Sequence, residues 1–129
     1  TVDCRIMKTI KFKFEDLKVY QKSLDFVDTV YNTTKQFPSE ENYRLTSQFI
    51  RAATSISLNI AEGSGDTNPQ FSRFFKISLG SIKECVICVT IANNQNFITE
   101  NESLILREKL AELSKMITAL LKYLNQTKD

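Results

Sequence analysis

The chain has 129 residues, 42% of them hydrophobic and 25% charged, with a net charge of +2 and no histidine. This length makes one domain with a core large enough to stand without disulfides or a metal. The near-balanced charge lacks the strongly basic character of a dedicated nucleic-acid binder, and no apolar run approaches the roughly 20 residues that cross a bilayer. Residues 1–13 read as an N-terminal arm, in which Ile10-Lys11-Phe12-Lys13-Phe14 alternates apolar with basic, as an extended segment or brief strand does. Met7 fits either an internal methionine or the start of the native chain.

From about Phe14 the period changes, and residues 14–125 read as four helices. On the first, Leu17, Tyr20, Leu24, Val27, Tyr31 and Thr34 recur at steps of three and four, opposite Lys18, Lys22, Asp25, Asn32 and Lys35. Phe37-Pro38 ends it, because proline restricts the residue before it. Ser39 then offers a capping oxygen, with Glu40 and Glu41 at the positive start of a second helix.

The second helix, through Leu45 to Gly63, organises the rest. A small apolar stripe of Leu45, Phe49, Ala52, Ile56, Ile60 and Gly63 runs beside a polar one of Arg44, Gln48, Arg51, Ser55, Asn59 and Glu62. The remaining side, Ser47, Ile50, Thr54, Ser57, Leu58 and Ala61, carries no charge, so this helix is expected to be covered on more than one side. Gly63-Ser64-Gly65 stops it. Asn68 as cap and Pro69 in the first turn restart the chain. The third helix places Phe71, Phe75, Ser78, Ile82, Cys85, Val89 and Ala92 on one stripe and ends in Asn93-Asn94-Gln95-Asn96. Thr99 and Glu102 have capping-box spacing, and Leu106, Leu110, Leu113, Ile117, Leu120 and Leu124 follow on a fourth helix. Residues 126–129 form a polar tail. Short joints make the helices antiparallel neighbours, so the expected fold is all-α, an antiparallel up-down-up-down four-helix bundle.

Several residues invite chemistry. Cys85-x-x-Cys88 lies mid-helix, away from the helix N-terminus that activates a redox pair, and Cys4 is the one further cysteine. A structural zinc site needs four ligands, so core packing is expected, with no metal and no cofactor. The odd cysteine count, with no secretory leader ahead of it, points to a reducing cytoplasmic compartment. Without histidine, Glu62 and Glu84 lack the partners of a di-metal carboxylate site. Arg51 is instead expected to pair with one or both of them, completing a polar network with Gln48, Ser55 and Asn59. A serine nucleophile has no arranged base, and Gly63-Ser64-Gly65 lacks the Lys-Ser/Thr of a phosphate loop, so no enzyme and no small-molecule substrate are expected. Arg73, Lys76 and Lys83 fall along one side of the third helix. Together with Arg44 and Arg51 they form a candidate basic strip for phosphate, with Lys8, Lys11 and Lys13 of the arm as further support. The alternative is a solvated helix face. Gly80 mid-helix implies a close helix approach.

The run Phe14-Glu15-Asp16-Leu17-Lys18-Val19-Tyr20, with Tyr31, Phe37-Pro38 and Glu41, resembles one family's opening. Leu45-Thr46-Ser47-Gln48, Arg51-Ala52-Ala53, Ser55-Ile56 and Asn59-Ile60-Ala61-Glu62-Gly63 resemble its signature, and Arg73-Phe74, Leu79-Gly80-Ser81 and Glu84 its third-helix motif. The family is that of four-helix-bundle proteins encoded in intervening sequences of bacterial 23S rRNA genes. It is also labelled a ribosomal protein family and is related to accessory proteins of diversity-generating retroelements. The likeness runs from Phe14 to Leu124; Ile50 stands where the family often has a second Arg, and Ser57-Leu58 where Pro-Ser is common. The resemblance implies a homopentameric ring, a non-enzymatic role, and contact with structured RNA or an RNA-bearing partner such as a reverse transcriptase. A protein-interaction module with no nucleic-acid role is the alternative.

Overall fold

In the computed structural model, which describes residues 10–126, four helices pack side by side. They are α1 (Lys18–Thr34), α2 (Leu45–Gly63), α3 (Asn68–Asn94) and α4 (Glu100–Gln126), with 3-10 turns at Lys13–Asp16 and Ser39–Glu41. Residues 1–9 of the expected arm, with Cys4 and Lys8, and residues 127–129 of the expected tail lie outside the described residues.

Cross-helix hydrogen bonds fix the up-down-up-down order. Ser23 of α1 meets Ser57 of α2 at 2.8 Å, and the Ser78 hydroxyl of α3 donates to the Ile56 carbonyl of α2 at 3.1 Å. Arg107 of α4 donates to Thr90 of α3 at 2.6 Å, and Lys22 of α1 meets Glu112 of α4 at 3.2 Å. The core lies between the four helices. Phe49, Ile56 and Ile60 of α2, Phe75, Cys85 and Val89 of α3, and Leu106, Leu110, Leu113 and Ile117 of α4 are all buried. The stripes expected on α2, α3 and α4 therefore face inward, with Phe71, Leu120 and Leu124 packed at the core's edge.

The first helix differs from its expected reading. Its buried residues are Val19, Ser23, Phe26, Val30, Thr33 and Thr34, and the first five run one residue out of phase with the stripe that begins at Leu17, of which Thr34 alone is buried. Of that stripe, Leu24 is 40% and Tyr31 50% exposed, while Tyr20 and Val27 are half-buried. One residue is about 100° of rotation, so α1 is apolar on two adjacent faces and only one enters the core. Phe26 wins because its ring meets Phe49 edge-on at 6.4 Å in the bundle centre.

The joints also need correction. Among the described residues there is no strand. Instead Lys13–Asp16 turns so that the Phe12 N–H reaches the Glu15 carboxylate at 2.8 Å and Phe14 packs edge-on against Tyr20 at 5.0 Å. Ser39 opens a short 3-10 turn but its hydroxyl caps no backbone N–H; α2 starts later, where the Leu45 N–H donates to Glu41 at 3.3 Å. Thr67, not Asn68, caps α3, and Pro69 sits in the first turn as expected. Asn96 takes the left-handed conformation (φ 62°), and the Phe97 N–H returns to the Ala92 carbonyl at 2.9 Å, closing α3 as a Schellman motif does. The capping box at Thr99 forms in both directions, at 2.8 and 3.1 Å. The Thr99 backbone N–H, with the Gln36 amide, holds the Glu102 carboxyl below its ordinary value.

Two glycines play opposite parts. A Cβ on Gly63 would lie 2.9 Å from both Phe71 Cδ1 and Phe74 Cβ, so α2 can end against α3 only with glycine there. A Cβ on Gly80 would meet nothing within 4 Å, so the close approach expected at Gly80 does not occur within the chain.

Truncating the buried face of α1 by Phe26→Ala should cost about 3–5 kcal/mol in urea unfolding, while Tyr31→Ala on the outer face should cost less than about 1 kcal/mol. If the two effects come out equal, the assigned face of α1 is wrong. Gly80→Ala should raise stability by about 0.5–1 kcal/mol, since alanine lowers the chain entropy lost on folding and nothing obstructs its methyl. Gly63→Ala should lower it, and thermal melts of the pair give the comparison.

Candidate interaction surfaces

The polar residues of α2 divide between two settings. Arg51 is exposed, and its guanidinium donates to Gln48 Oε1 at 3.2 Å. Neither Glu62 nor Glu84 accepts from it, so the ion pair expected from the sequence is not formed within the chain. Glu84 shares a shallow recess with Gln48, Arg51, Ala52 and Ser55, whereas Glu62 is exposed near the far end of α2. Ser55 and Asn59 belong instead to a half-buried cluster. The Asn59 amide donates to Ser55 O at 2.8 Å, and the Ser81 hydroxyl of α3 reaches Ser55 Oγ at 2.9 Å. The seam between α2 and α3 is thus closed by hydroxyls and an amide rather than by buried charge.

Cys85 and Cys88 are free and buried. Burial raises both thiols, Cys88 to about 11 and Cys85 further, so neither is a thiolate near neutral pH. Among the described residues no group of three or more His, Cys, Asp or Glu side chains is placed to hold a metal, and no helix is long and apolar enough to cross a membrane.

The candidate basic strip is also divided. With α2 antiparallel to α3, Arg44 lies level with the end of α3, about 30 Å from Arg73 at 1.5 Å per residue. Arg73 sits over the Phe74 ring at 5.8 Å, and Arg51 faces the recess on α2. Lys76 and Lys83 turn the other way, toward α4. There they meet cations that the sequence reading left out: Arg107, Lys115 and Lys122, all exposed. Arg107, Ala111, Lys115 and Lys122 follow one another at steps of four, four and seven, so they share one flank of α4.

Because Arg107 is bonded to Thr90, the antiparallel register sets Lys83 level with Lys115 and Lys76 level with Lys122. These rows are about 10 Å apart, seven residues at 1.5 Å each. Glu112 turns toward α1, where Lys22 holds it, and residues 77–82 and 116–121 between the rows hold no carboxylate, while exposed Glu108, seven residues before Lys115, shares the flank above them. From the Lys83 row upward the flank becomes an apolar groove of about 620 Å³, with Ile82, Val86, Ile87, Leu110 and Ala111 among its lining. The signal for this flank was in α4's own phase, which shows only when α3 and α4 are set side by side.

A family model described as 23S rRNA-intervening sequence protein matches residues 15–119 of the chain. Among solved structures, a protein of unknown function from the S23 ribosomal protein family of Bacteroides thetaiotaomicron VPI-5482 superposes with a TM-score of 0.74 at 24% sequence identity. The likeness covers 81% of this chain and 98% of that one, and what it shows is a shared fold. No curated protein matches.

Because Arg51 is exposed and bonded to a neutral amide, Arg51→Ala should change stability by no more than about 0.5 kcal/mol. A loss of about 3–5 kcal/mol on thermal melting would restore the buried ion pair that the sequence suggested.

Proposed function

The chain belongs to the 23S rRNA-intervening sequence protein family, and from that premise we propose that it is a non-enzymatic, cytoplasmic scaffold that assembles with copies of itself and binds structured RNA by its phosphate backbone. The observation that carries the RNA reading is the cationic flank, where Lys76 and Lys122, then Lys83 and Lys115, face outward in level rows with no carboxylate between them. Lysine and arginine on a helical surface are general phosphate contacts, and four of them in two rows give a backbone more than one hold. Contacts of this kind position an RNA without reading its bases. The assembly reading rests on a different face. Leu24 (40%), Tyr31 (50%) and Leu58 (63%) are exposed on the α1–α2 side, beside half-buried Val27 and Ile50, and α2 adds no charge there. Covering such a face with a neighbouring copy removes apolar area from water. Five copies is the number that the family resemblance implies.

Binding of a structured RNA by the purified chain should weaken linearly in log affinity against log salt. Lys76→Glu with Lys122→Glu should reduce the slope by about 1 for each lost contact, whereas Lys35→Glu, just past the end of α1, should leave it unchanged. Absence of binding at low salt, or a slope indifferent to the two flank lysines, would overturn the RNA reading. Light scattering should give a multiple of the 14.8 kDa chain mass, and Leu24→Asp with Leu58→Asp should return it to one copy. A wild-type mass of 14.8 kDa at micromolar concentration would overturn the assembly reading.

A further inference from the structure

The upper half of the α3–α4 flank has a character that phosphate binding does not use. Ile87 is 58%, Ile91 42% and Leu104 55% exposed around the groove. A sugar-phosphate backbone offers these side chains nothing apolar to bury against. We infer that this groove docks an amphipathic helix of a partner protein, one whose apolar stripe is flanked by carboxylates.

The secondary structure of the occupant follows from the walls. The groove runs between two helices whose backbone groups already bond within their own ladders, so it has no free edge to which a strand could add. A segment lying on the apolar floor must bring its backbone already satisfied, and a helix does. Ile87 and Ile91 stand one turn apart on α3, and Leu104 and Ala111 two turns apart on α4, which a stripe at i, i+4 and i+7 can cover. Ala111 and Ser114 are small, which lets a third helix approach closely.

The charge of the occupant follows from the rim. Lys83 and Arg107 line the groove from opposite sides, and Lys115 lies one turn beyond Ala111, so three cations stand against the single Glu108 carboxylate of this α4 flank. The Arg107 guanidinium donates to a neutral group, the Thr90 hydroxyl, which fixes its position without satisfying its charge. A planar guanidinium held in place is suited to bidentate pairing with a carboxylate.

The test uses the full chain and a fluorescent synthetic helix of about 18 residues, with Leu at i, i+4 and i+7 and Glu on both flanks, beside the same helix with Lys flanks. Fluorescence anisotropy should show binding of the Glu-flanked peptide and much weaker binding of the Lys-flanked one. Ala111→Trp, which fills the groove from an exposed position, should raise the dissociation constant at least about tenfold. Arg107→Glu should remove most of the preference between the peptides, and circular dichroism with thermal melting confirms that both variants fold. Equal binding of the two peptides, or binding of neither, overturns the inference. So does an Ala111→Trp variant that loses RNA affinity but not peptide affinity, which would assign the groove to nucleic acid. A variant that keeps peptide affinity but loses oligomer mass would assign it to a second copy and overturns the inference too. Loss of RNA binding in Lys76→Glu with Lys122→Glu bears on the lower rows alone, so the two proposals can fail separately.

Discussion

The close approach of α2 to both of its neighbours is the constraint on which the bundle depends. Ser57 meets Ser23 on the α1 side, while Ser55 meets Ser81, and the Ile56 carbonyl meets Ser78, on the α3 side. Small side chains bring the helix axes together. Their hydroxyls must then find one another, because a buried polar group without a partner costs about 1–3 kcal/mol. Gly63 carries the same constraint to the end of α2, where even a methyl would strike Phe71 and Phe74. A helix held this way has no flank free for a row of lysines and glutamates. The absence of charge between Leu45 and Ala61, save for Arg51, is the imprint of those two seams on the sequence.

With α2 fixed between α1 and α3, α4 closes the bundle against α1 and α3, and two exterior sides are left with contrasting surfaces. On the α1–α2 side lies the second apolar face of α1, next to Leu58. On the α3–α4 side lie the cationic rows and the groove above them. In an up-down-up-down bundle these two sides are opposite one another. The first is apolar with Asp28 of α1 at its edge and the second is cationic around a groove, so the two sides differ in the chemistry they present.

The parts legible in the sequence were those decided by a single helix. The stripes on α2, α3 and α4, the Gly65 and Pro38 stops and the Thr99–Glu102 box follow from local periodicity and cap chemistry, and the structure has them. The misplaced parts needed a second element to decide. On α1 two stripes of similar strength compete, and only the position of Phe49 selects Phe26 over Leu24 and Tyr31. Ser39 was a plausible cap, but Glu41 reaches Leu45 and moves the helix start. Arg51 was assigned a carboxylate by the rule that buried charge must be paired, yet its side chain is not buried. The flank cations of α4 were invisible for the same reason. Lys115 and Lys122 look like ordinary surface lysines until the Arg107–Thr90 bond sets them level with Lys83 and Lys76.

The weak net charge is a sum over surfaces that differ. The carboxylates of the upper end are engaged locally: Glu100 accepts from Asn93, Glu102 from the Thr99 backbone and Gln36, and Glu112 from Lys22. Each is tied to a joint or to the α1–α4 seam. The lysines of α3 and the α4 flank have no such structural task and remain outward on one side. A total of +2 therefore describes neither surface. Potential at short range depends on which charges share a face, and charges beyond a Debye length of about 8 Å are largely screened at physiological salt. A partner approaching the α3–α4 flank meets Lys76, Lys83, Arg107, Lys115 and Lys122 against Glu108 on the same flank, so the chain is locally basic while its composition is nearly neutral.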